Sequence, residues 1–329
     1  MATFLVTLKQ LGHLEQMGFT VVNVGSRKIS AEDDYAQQDW SLFAPNLKIY
    51  GFDADEEACA QANADLARRN INWLEKHVPI ALSNTVGRKT LYITKNPMCS
   101  SLYAPNEPFL ARLSGLPELV NLDYTLEVET TTLEAFCQAE GIETIDFLQV
   151  DVQGADLQVL QGANSLLQNI LAIQIEVEFS PLYINQPLFA DVDAYLRSQG
   201  FSLFDLLMAR RLRARSPVAN TRHPGQVLWG DAFYFRDLLQ AENRDQQSPE
   251  RLFRLACIAD VMQFPDYALE ILEYITLNYG RDNPRYNFAN VIVQVLAQAA
   301  KPTGRSLESL PIVASLRDFI TRSELLKPN

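Results

Sequence analysis

The sequence predicts an α/β fold in which mostly parallel strands are joined by helices, followed by a small all-α module. Three observations carry this. Short β-rich runs alternate with helical patterns as far as residue 236, the order that parallel strands with crossover helices require. Two of the runs, residues 145–150 and 171–177, are mostly apolar, as strands covered on both faces are. After Asp237 the strand signals stop and stretches of helical periodicity follow, which is the pattern of a helical bundle.

Taken in order, residues 20–24 form an apolar run that ends at Gly25, and residues 48–52 form a second that ends at Asp53. Between them, 39–45 reads as a short helix or loop. Ala58, Ala62 and Leu66 recur every fourth residue, so 56–70 is a helix, with Asp55 placed to accept from its first amides. A third strand is expected at 77–82. Residues 87–94 and 124–130 have the alternation of a hairpin, separated by a proline-containing stretch, 95–122, long enough to be a substrate lid. A helix at 132–139 is capped by Thr130 or Thr131. Strand 145–150 ends at Asp151 and is followed by a helix over 156–167. Strand 171–177 ends among Glu176 and Glu178. A helix over 189–199 stops at Gly200, and two last strands, 201–207 and 227–235, flank an arginine-rich connection. The polar residues 240–248 read as a linker. Helices are expected at 249–262, 267–279, 288–300 and 310–325. This gives a domain over 1–240 and a helical module over 241–329, whose surfaces could hold a protein partner or a second copy of the chain.

Composition narrows the function classes. Forty acidic against 28 basic residues give a net charge of −12, a field that repels phosphate backbones, so nucleic acid is not the expected partner. The apolar runs fall short of the roughly 20 residues that cross a bilayer. The first ten residues lack a basic start and a cleavage site, so no signal peptide is read. Cys59, Cys99, Cys137 and Cys257 form no close pair and stand apart from the three histidines, the usage of reduced thiols in a cytoplasmic protein without a metal site.

Three motifs bear on chemistry. In Val21-Val22-Asn23-Val24-Gly25-Ser26 a buried strand ends in a glycine, where a ligand can approach the backbone; a structural turn is the alternative, since Arg27, Lys28 and Ile29 follow in place of further glycines. In Gly51-Phe52-Asp53 an acid closes the second strand, where it can accept from ribose hydroxyls, somewhat farther from the first glycine than the roughly 20 residues of a dinucleotide fold. Asp55 can serve as the helix cap, which leaves Asp53 for a ligand. The third motif is Gln149-Val150-Asp151-Val152-Gln153-Gly154-Ala155-Asp156, continuing to Leu160-Gln161-Gly162-Ala163.

This third stretch resembles the strand, Asp-Val-Glu-Gly-Ala-Glu and Leu-Lys-Gly-Ala segments of FkbM-type methyltransferases. Thr130-Thr131-Thr132-Leu133-Glu134, Ala81-Leu82-Ser83-Asn84, Ser100-Ser101-Leu102 and Gly230-Asp231-Ala232-Phe233-Tyr234-Phe235-Arg236 resemble further segments of that family in the same order. The resemblance covers about residues 20–236. It implies a doubly wound, mostly parallel seven-stranded sheet of the class I methyltransferase type, Rossmann-like in build, with S-adenosyl-L-methionine above Gly25 and Asp53. It implies O-methylation of a hydroxyl on a small molecule, sugar or glycan. Carried over, Asn23, Gly25 and Ser26 line the methionine side, Asp53 holds the ribose with Ala54 beside it, and Ser83 lies near the adenine. Asp151 lies near the methyl group.

Methyl transfer to a hydroxyl needs alignment and a base for the proton. Asp151 and Glu178 are the expected catalytic carboxylates, with Glu176 two residues away on the same face. Asn23, Gln149 and Gln153 stand where the family has Asp, Lys and Glu. Glutamine hydrogen-bonds but cannot act as a base. The alternative reading is therefore a catalytically silent binding module that recruits a protein through its helical tail. A nicotinamide-dependent oxidoreductase is a third reading, opposed by the missing glycines after Gly25. The arginines at 210, 211, 213, 215 and 222 either grip an anionic substrate or form a solvated loop.

Overall fold

The computed structural model describes residues 2–27, 34–299 and 310–325, and it divides into two units. One comprises residues 19–29 and 48–237, the other residues 1–18, 30–47 and 238–329. The second unit resumes at Leu238, two residues before the expected cut, and it also takes in residues 1–18 and 30–47, which were expected in the first domain. Lys28, Ile29 and the expected helix end at 300 lie outside the described residues.

The first unit carries ten strands: β1 (Phe19–Val24), β2 (Leu47–Asp53), β3 (Leu74–Pro79), β4 (Ala81–Leu82), β5 (Gly87–Thr94), β6 (Leu122–Thr131), β7 (Phe147–Val150), β8 (Ala172–Glu178), β9 (Ser202–Arg211) and β10 (Gln226–Phe235). Seven form one sheet in the order β3-β2-β1-β7-β8-β10-β9. The pairs β1–β7, β7–β8 and β2–β3 are parallel, and β10 runs antiparallel to both neighbours. This is the mostly parallel, seven-stranded class I methyltransferase sheet. The order reverses between β1 and β7, and at such a switch point an open α/β sheet leaves a crevice beyond its strand ends.

Local chemistry explains the elements. The helix Glu56–Arg69 starts where the Asp55 carboxylate accepts from the Ala58 amide at 3.0 Å. The helix Leu133–Glu140 is capped by Thr132, one residue beyond the expected threonines. The expected helix over 156–167 is two pieces, Asp156–Gln161 and a 3-10 turn at Asn164–Gln168. Its break is at Gly162, where a β-carbon would come within 2.2 Å of the Ser83 carbonyl oxygen. The expected third strand is likewise split. β3 stays in the main sheet, while β4 joins β6 and β5 in a three-stranded sheet whose hairpin, β5–β6, matches the expected pairing.

The apolar interior of the main sheet packs Val22, Val24, Leu148, Val150, Ile173 and Ile175 against helix residues such as Val159, Leu160 and Leu196. A smaller core of Leu110, Leu113, Leu116, Val120, Leu182, Tyr183 and Leu228 lies under the 95–122 segment. That segment holds helices Glu107–Leu110 and Pro117–Val120. It is fastened by bridges from Pro105 to Tyr183 and from Leu113 to Arg213.

In the second unit the helices Pro249–Val261, Pro265–Tyr279, Ala289–Ala299 and Pro311–Leu325 lie close to the expected bounds. The buried Asp260 carboxylate accepts from the amides of Thr3, Phe4 and Leu5 at 2.9, 2.8 and 2.9 Å. These are donors that the start of the helix Leu5–Gln10 leaves without an intrahelical partner, so the N-terminal segment folds with the C-terminal helices. Among the described residues no helix is long and apolar enough to cross a membrane.

Candidate active site

A cavity of about 660 Å³ opens beyond the strand ends of the first unit. Gly25, Asp53 and Ala54 line it, as do Asp151, Gln153 and Glu176. Cys99, Tyr183, Arg211 and Trp229 also line it, together with Leu116, Leu119, Val120 and Tyr124. The segment expected to be a lid therefore supplies one wall.

The β1 turn is made by Gly25, which has φ +85°. Its amide and that of Ser26 donate to the Phe52 carbonyl oxygen at 2.8 and 2.9 Å, and the Asp151 amide donates to the Val24 carbonyl at 2.9 Å. The turn is thus tied to both neighbouring strands. A β-carbon on Gly25 would lie 1.8 Å from the Asp151 carbonyl oxygen. Asp53 accepts at Oδ1 from the Asp55 amide at 2.8 Å. Burial pushes its carboxyl up, opposed by the charge of Arg27. Arg27 itself pairs with Asp55.

Four of the expected residues, Gly25, Asp53, Ala54 and Asp151, thus share one cavity, and the other four do not line it. Asn23 lies opposite Gln149 in the β1–β7 register. Ser26 is buried with its hydroxyl 3.0 Å from His77 Nδ1, and His77 Nε2 is 3.3 Å from the Glu75 carboxylate. The hydroxyl faces inward to this buried chain, which also fills the space above Gly51. Ser83 is fully buried, its hydroxyl 2.6 Å from Lys89 Nζ and 2.8 Å from Gln158 Oε1. Glu178 is only 3% exposed. On β8 it is Glu176 that reaches the cavity.

Asp151 is exposed at the cavity and sits in a crowd of acids. Gln153 Nε2 donates to Asp151 Oδ1 at 2.8 Å and to Glu176 Oε2 at 2.7 Å. The Tyr183 hydroxyl lies 3.0 Å from Gln153 Oε1 and 2.8 Å from the Cys99 carbonyl oxygen, so its single proton serves one of them at a time. The backbone that presents Gln153 is left-handed at both Gln153 (φ +56°) and Gly154 (φ +89°). It wraps around the buried Asp156 carboxylate, which accepts from the Val152 and Gly154 amides at 3.0 and 2.9 Å. Burial first, and then the Asp151 charge, raise the Asp156 carboxyl to about 7. The same two causes lead in lifting Glu176 well above the usual range. Burial, followed by Asp156 and Asp151, does so for Glu178. Asp231, opposite Glu176 in the β8–β10 register, is also raised by burial and by Asp151. Among the described residues no group of three His, Cys, Asp or Glu side chains is arranged to hold a metal ion.

The sheet and the strand-end cavity define a methyltransferase-type domain. The family model for the methyltransferase FkbM domain matches residues 28–203, more than half of the chain. The chain belongs to the FkbM methyltransferase family. It is similar to the 2-O-methyltransferase NoeI of Sinorhizobium fredii (strain NBRC 101917 / NGR234), with 27% identity over 154 residues, 45% of this chain and 61% of that protein. Among solved structures it is similar to methyltransferase FkbM from Methylobacillus flagellatus KT, with TM-score 0.37 and 12% identity, covering 67% of this chain and 45% of that one. It is also similar to magnesium protoporphyrin IX methyltransferase (ChlM) from Synechocystis PCC 6803 with bound SAM, with TM-score 0.32 and 12% identity, covering 71% and 76%. The chain thus spans less than two thirds of NoeI and under half of the Methylobacillus protein.

The sequence offers Arg211 only as one of five arginines that grip an anion or form a solvated loop, it does not point to Tyr183 or Trp229, and it marks Gln153 as a side chain that hydrogen-bonds without serving as a base. The alternation of β8 was a signal for Glu176, which is one side-chain repeat away from Glu178.

Proposed function

We propose that this chain is an S-adenosylmethionine-dependent O-methyltransferase acting on a hydroxyl of a small molecule, sugar or glycan. The observation that carries the reading is a single cavity joining the Gly25 turn and the Asp53 carboxylate to the Asp151–Gln153–Glu176 cluster. The fit to the cofactor is supported by Asp53. A carboxylate has about four lone-pair directions, so the Asp55 amide leaves it acceptor capacity for a pair of ribose hydroxyls. Gly25 and Ala54 present a wall without bulky side chains. When bound, the cofactor would supply an electrophilic methyl group.

The protein's own share is positioning and proton handling. Asp151, exposed at the cavity, accepts the proton of the acceptor hydroxyl. Gln153 holds the Asp151 carboxylate in place from one side of its amide while Tyr183 orients the other. The apolar wall of Leu116, Leu119 and Val120 limits water at the reacting oxygen, which strengthens the polar contacts inside. The similarity to a 2-O-methyltransferase supports oxygen as the acceptor atom.

Calorimetric titration with S-adenosylhomocysteine tests the cofactor. Binding is expected, weakened at least about tenfold in Asp53→Ala, a loss of roughly 1.4 kcal/mol. No heat at millimolar ligand overturns the reading. Incubation with labelled S-adenosylmethionine and a panel of hydroxylated acceptors tests the reaction. Labelled product is expected from the wild type and not from Asp151→Ala, and product formation undiminished in that variant removes Asp151 from the role of base.

A further inference from the structure

Resting on the methyltransferase reading, we infer that Arg211 and Trp229 form the acceptor end of the cavity and select an acceptor carrying an oxyanion, a carboxylate or phosphate, about one sugar ring from the hydroxyl that is methylated. Of the arginines between positions 210 and 222, Arg211 is the one that lines the cavity. Its guanidinium lies 4.8 Å from the centroid of the Trp229 ring. Its one hydrogen bond among the described residues goes to the Arg210 carbonyl oxygen, at 3.1 Å. No carboxylate among the described residues pairs with it, whereas the cavity's other arginine, Arg27, is paired with Asp55.

The arrangement has a directional consequence. A guanidinium lying over an indole ring has N–H groups to spare for other partners, and a planar fork of donors suits a carboxylate or phosphate. The backbone beneath is fixed too. Gly225 packs so closely on Arg211 that a β-carbon there would lie 2.4 Å from the Arg211 carbonyl oxygen.

Electrostatics then sets the orientation of a bound molecule. Further negative charge is disfavoured beside Asp151, as the raised Glu176 carboxyl shows, so an anionic group is repelled there and attracted to the cation at Arg211. Trp229 and Asp231 are two residues apart on β10, as are Glu178 and Glu176 opposite them on β8. Two residues along a strand span roughly 7 Å. An acceptor with its anion at Arg211 and its hydroxyl at the carboxylates therefore has the dimensions of a monosaccharide unit, and the Trp229 ring offers an apolar edge for a sugar face.

The test follows the Trp229 indole N–H signal by nuclear magnetic resonance, identified by its loss in Trp229→Phe. Inorganic phosphate, glucuronate and neutral methyl glucoside are titrated at constant ionic strength with S-adenosylhomocysteine present. Phosphate and glucuronate are expected to move the signal saturably, and glucuronate at least about tenfold more tightly than methyl glucoside, equivalent to about 1.4 kcal/mol. Arg211→Ala should abolish this preference, Arg211→Lys should keep part of it, and both should bind S-adenosylhomocysteine as the wild type does, which reports that they are folded. A response to phosphate stronger than to glucuronate identifies a phosphorylated acceptor, and the reverse identifies a uronate. Equal response to charged and neutral sugars, no response at all, or an anion preference that survives Arg211→Ala overturns the assignment. Failure of S-adenosylhomocysteine to bind the wild type overturns the cofactor reading and this assignment with it. Cofactor binding without anion preference overturns this assignment alone.

Discussion

Replacing Gly25 by alanine should separate two costs that meet at the β1 turn. One is conformational, because φ is +85° and an alanine there pays about 1–2 kcal/mol. The other is steric, because the new β-carbon would stand 1.8 Å from the Asp151 carbonyl oxygen, where ordinary contact begins at 3.4 Å. A displacement of that size cannot be absorbed by a side chain, since the obstructing atom is backbone. It must part β1 from β7 at their ends, and the 2.9 Å bond from the Asp151 amide to Val24 is the first to go. A buried amide left unpaired costs about 1–3 kcal/mol, and overpacking adds about 1–3 kcal/mol. Gly141 supplies the control: it has φ +66° and nothing within 4 Å of its hypothetical β-carbon, so Gly141→Ala bears only the conformational cost. Urea unfolding should place Gly25→Ala about 2–6 kcal/mol below Gly141→Ala, a large part of a typical stability of about 5–15 kcal/mol. Adding Asp151→Ala should give no rescue, because it leaves the carbonyl in place. Equal stability of the two glycine variants, or rescue by Asp151→Ala, refutes the reasoning.

The Asp156 carboxyl, raised to about 7 from 3.8, makes stability depend on pH with a definite sign. The folded state holds a proton that the unfolded chain has released, so this contribution is complete below about pH 4 and is lost as pH rises to about 7, with a slope of at most about 1.4 kcal/mol per pH unit. The stability of the wild type relative to Asp156→Asn should fall across that window in urea titrations, and a difference that is flat or rising contradicts it. In the second unit, Asp260→Ala strands three amides at the start of the N-terminal helix, each worth about 1–3 kcal/mol when unpaired. Hydrogen exchange at Thr3, Phe4 and Leu5 should accelerate by orders of magnitude, and unchanged protection removes Asp260 from this role.

The sheet was legible because its signals are local. Apolar runs at 145–150 and 171–177 announce buried strands, and Asp55 announces a helix start. Gly25, Asp53 and Asp151 were legible for the same reason: each closes a strand, and strand ends of such sheets face the crevice. Ser26 and Ser83 carry the same positional signal but are turned inward, Ser26 by His77 from β3 and Ser83 by Lys89 and Gln158. Those partners lie far away in sequence, and no local pattern reveals them. Arg211 and Trp229 meet because β9 and β10 pair with a register shift between Val227 and Trp229, which alternation alone does not encode. The N-terminal helix Leu5–Gln10 has no signature in the sequence because six residues are too few to show periodicity. It persists through a carboxylate more than 250 positions away.

Gln153 shows best how a substitution that looks like a loss can be a fit. From the sequence it removes a charge beside Asp151. In the structure its amide donates to two carboxylates and accepts toward Tyr183. An ionised glutamate offers acceptors only, so in the same place it would donate to neither Asp151 nor Glu176 and would add a further charge to acids already raised by one another. The left-handed backbone at Gln153, an uncommon conformation for a residue with a side chain, is held by the Asp156 carboxylate through the amides on either side of it. Asp156 therefore positions the amide and the amide positions Asp151, so in the proposed reaction the carboxylate assigned as base would owe its place to two residues that need not touch the substrate.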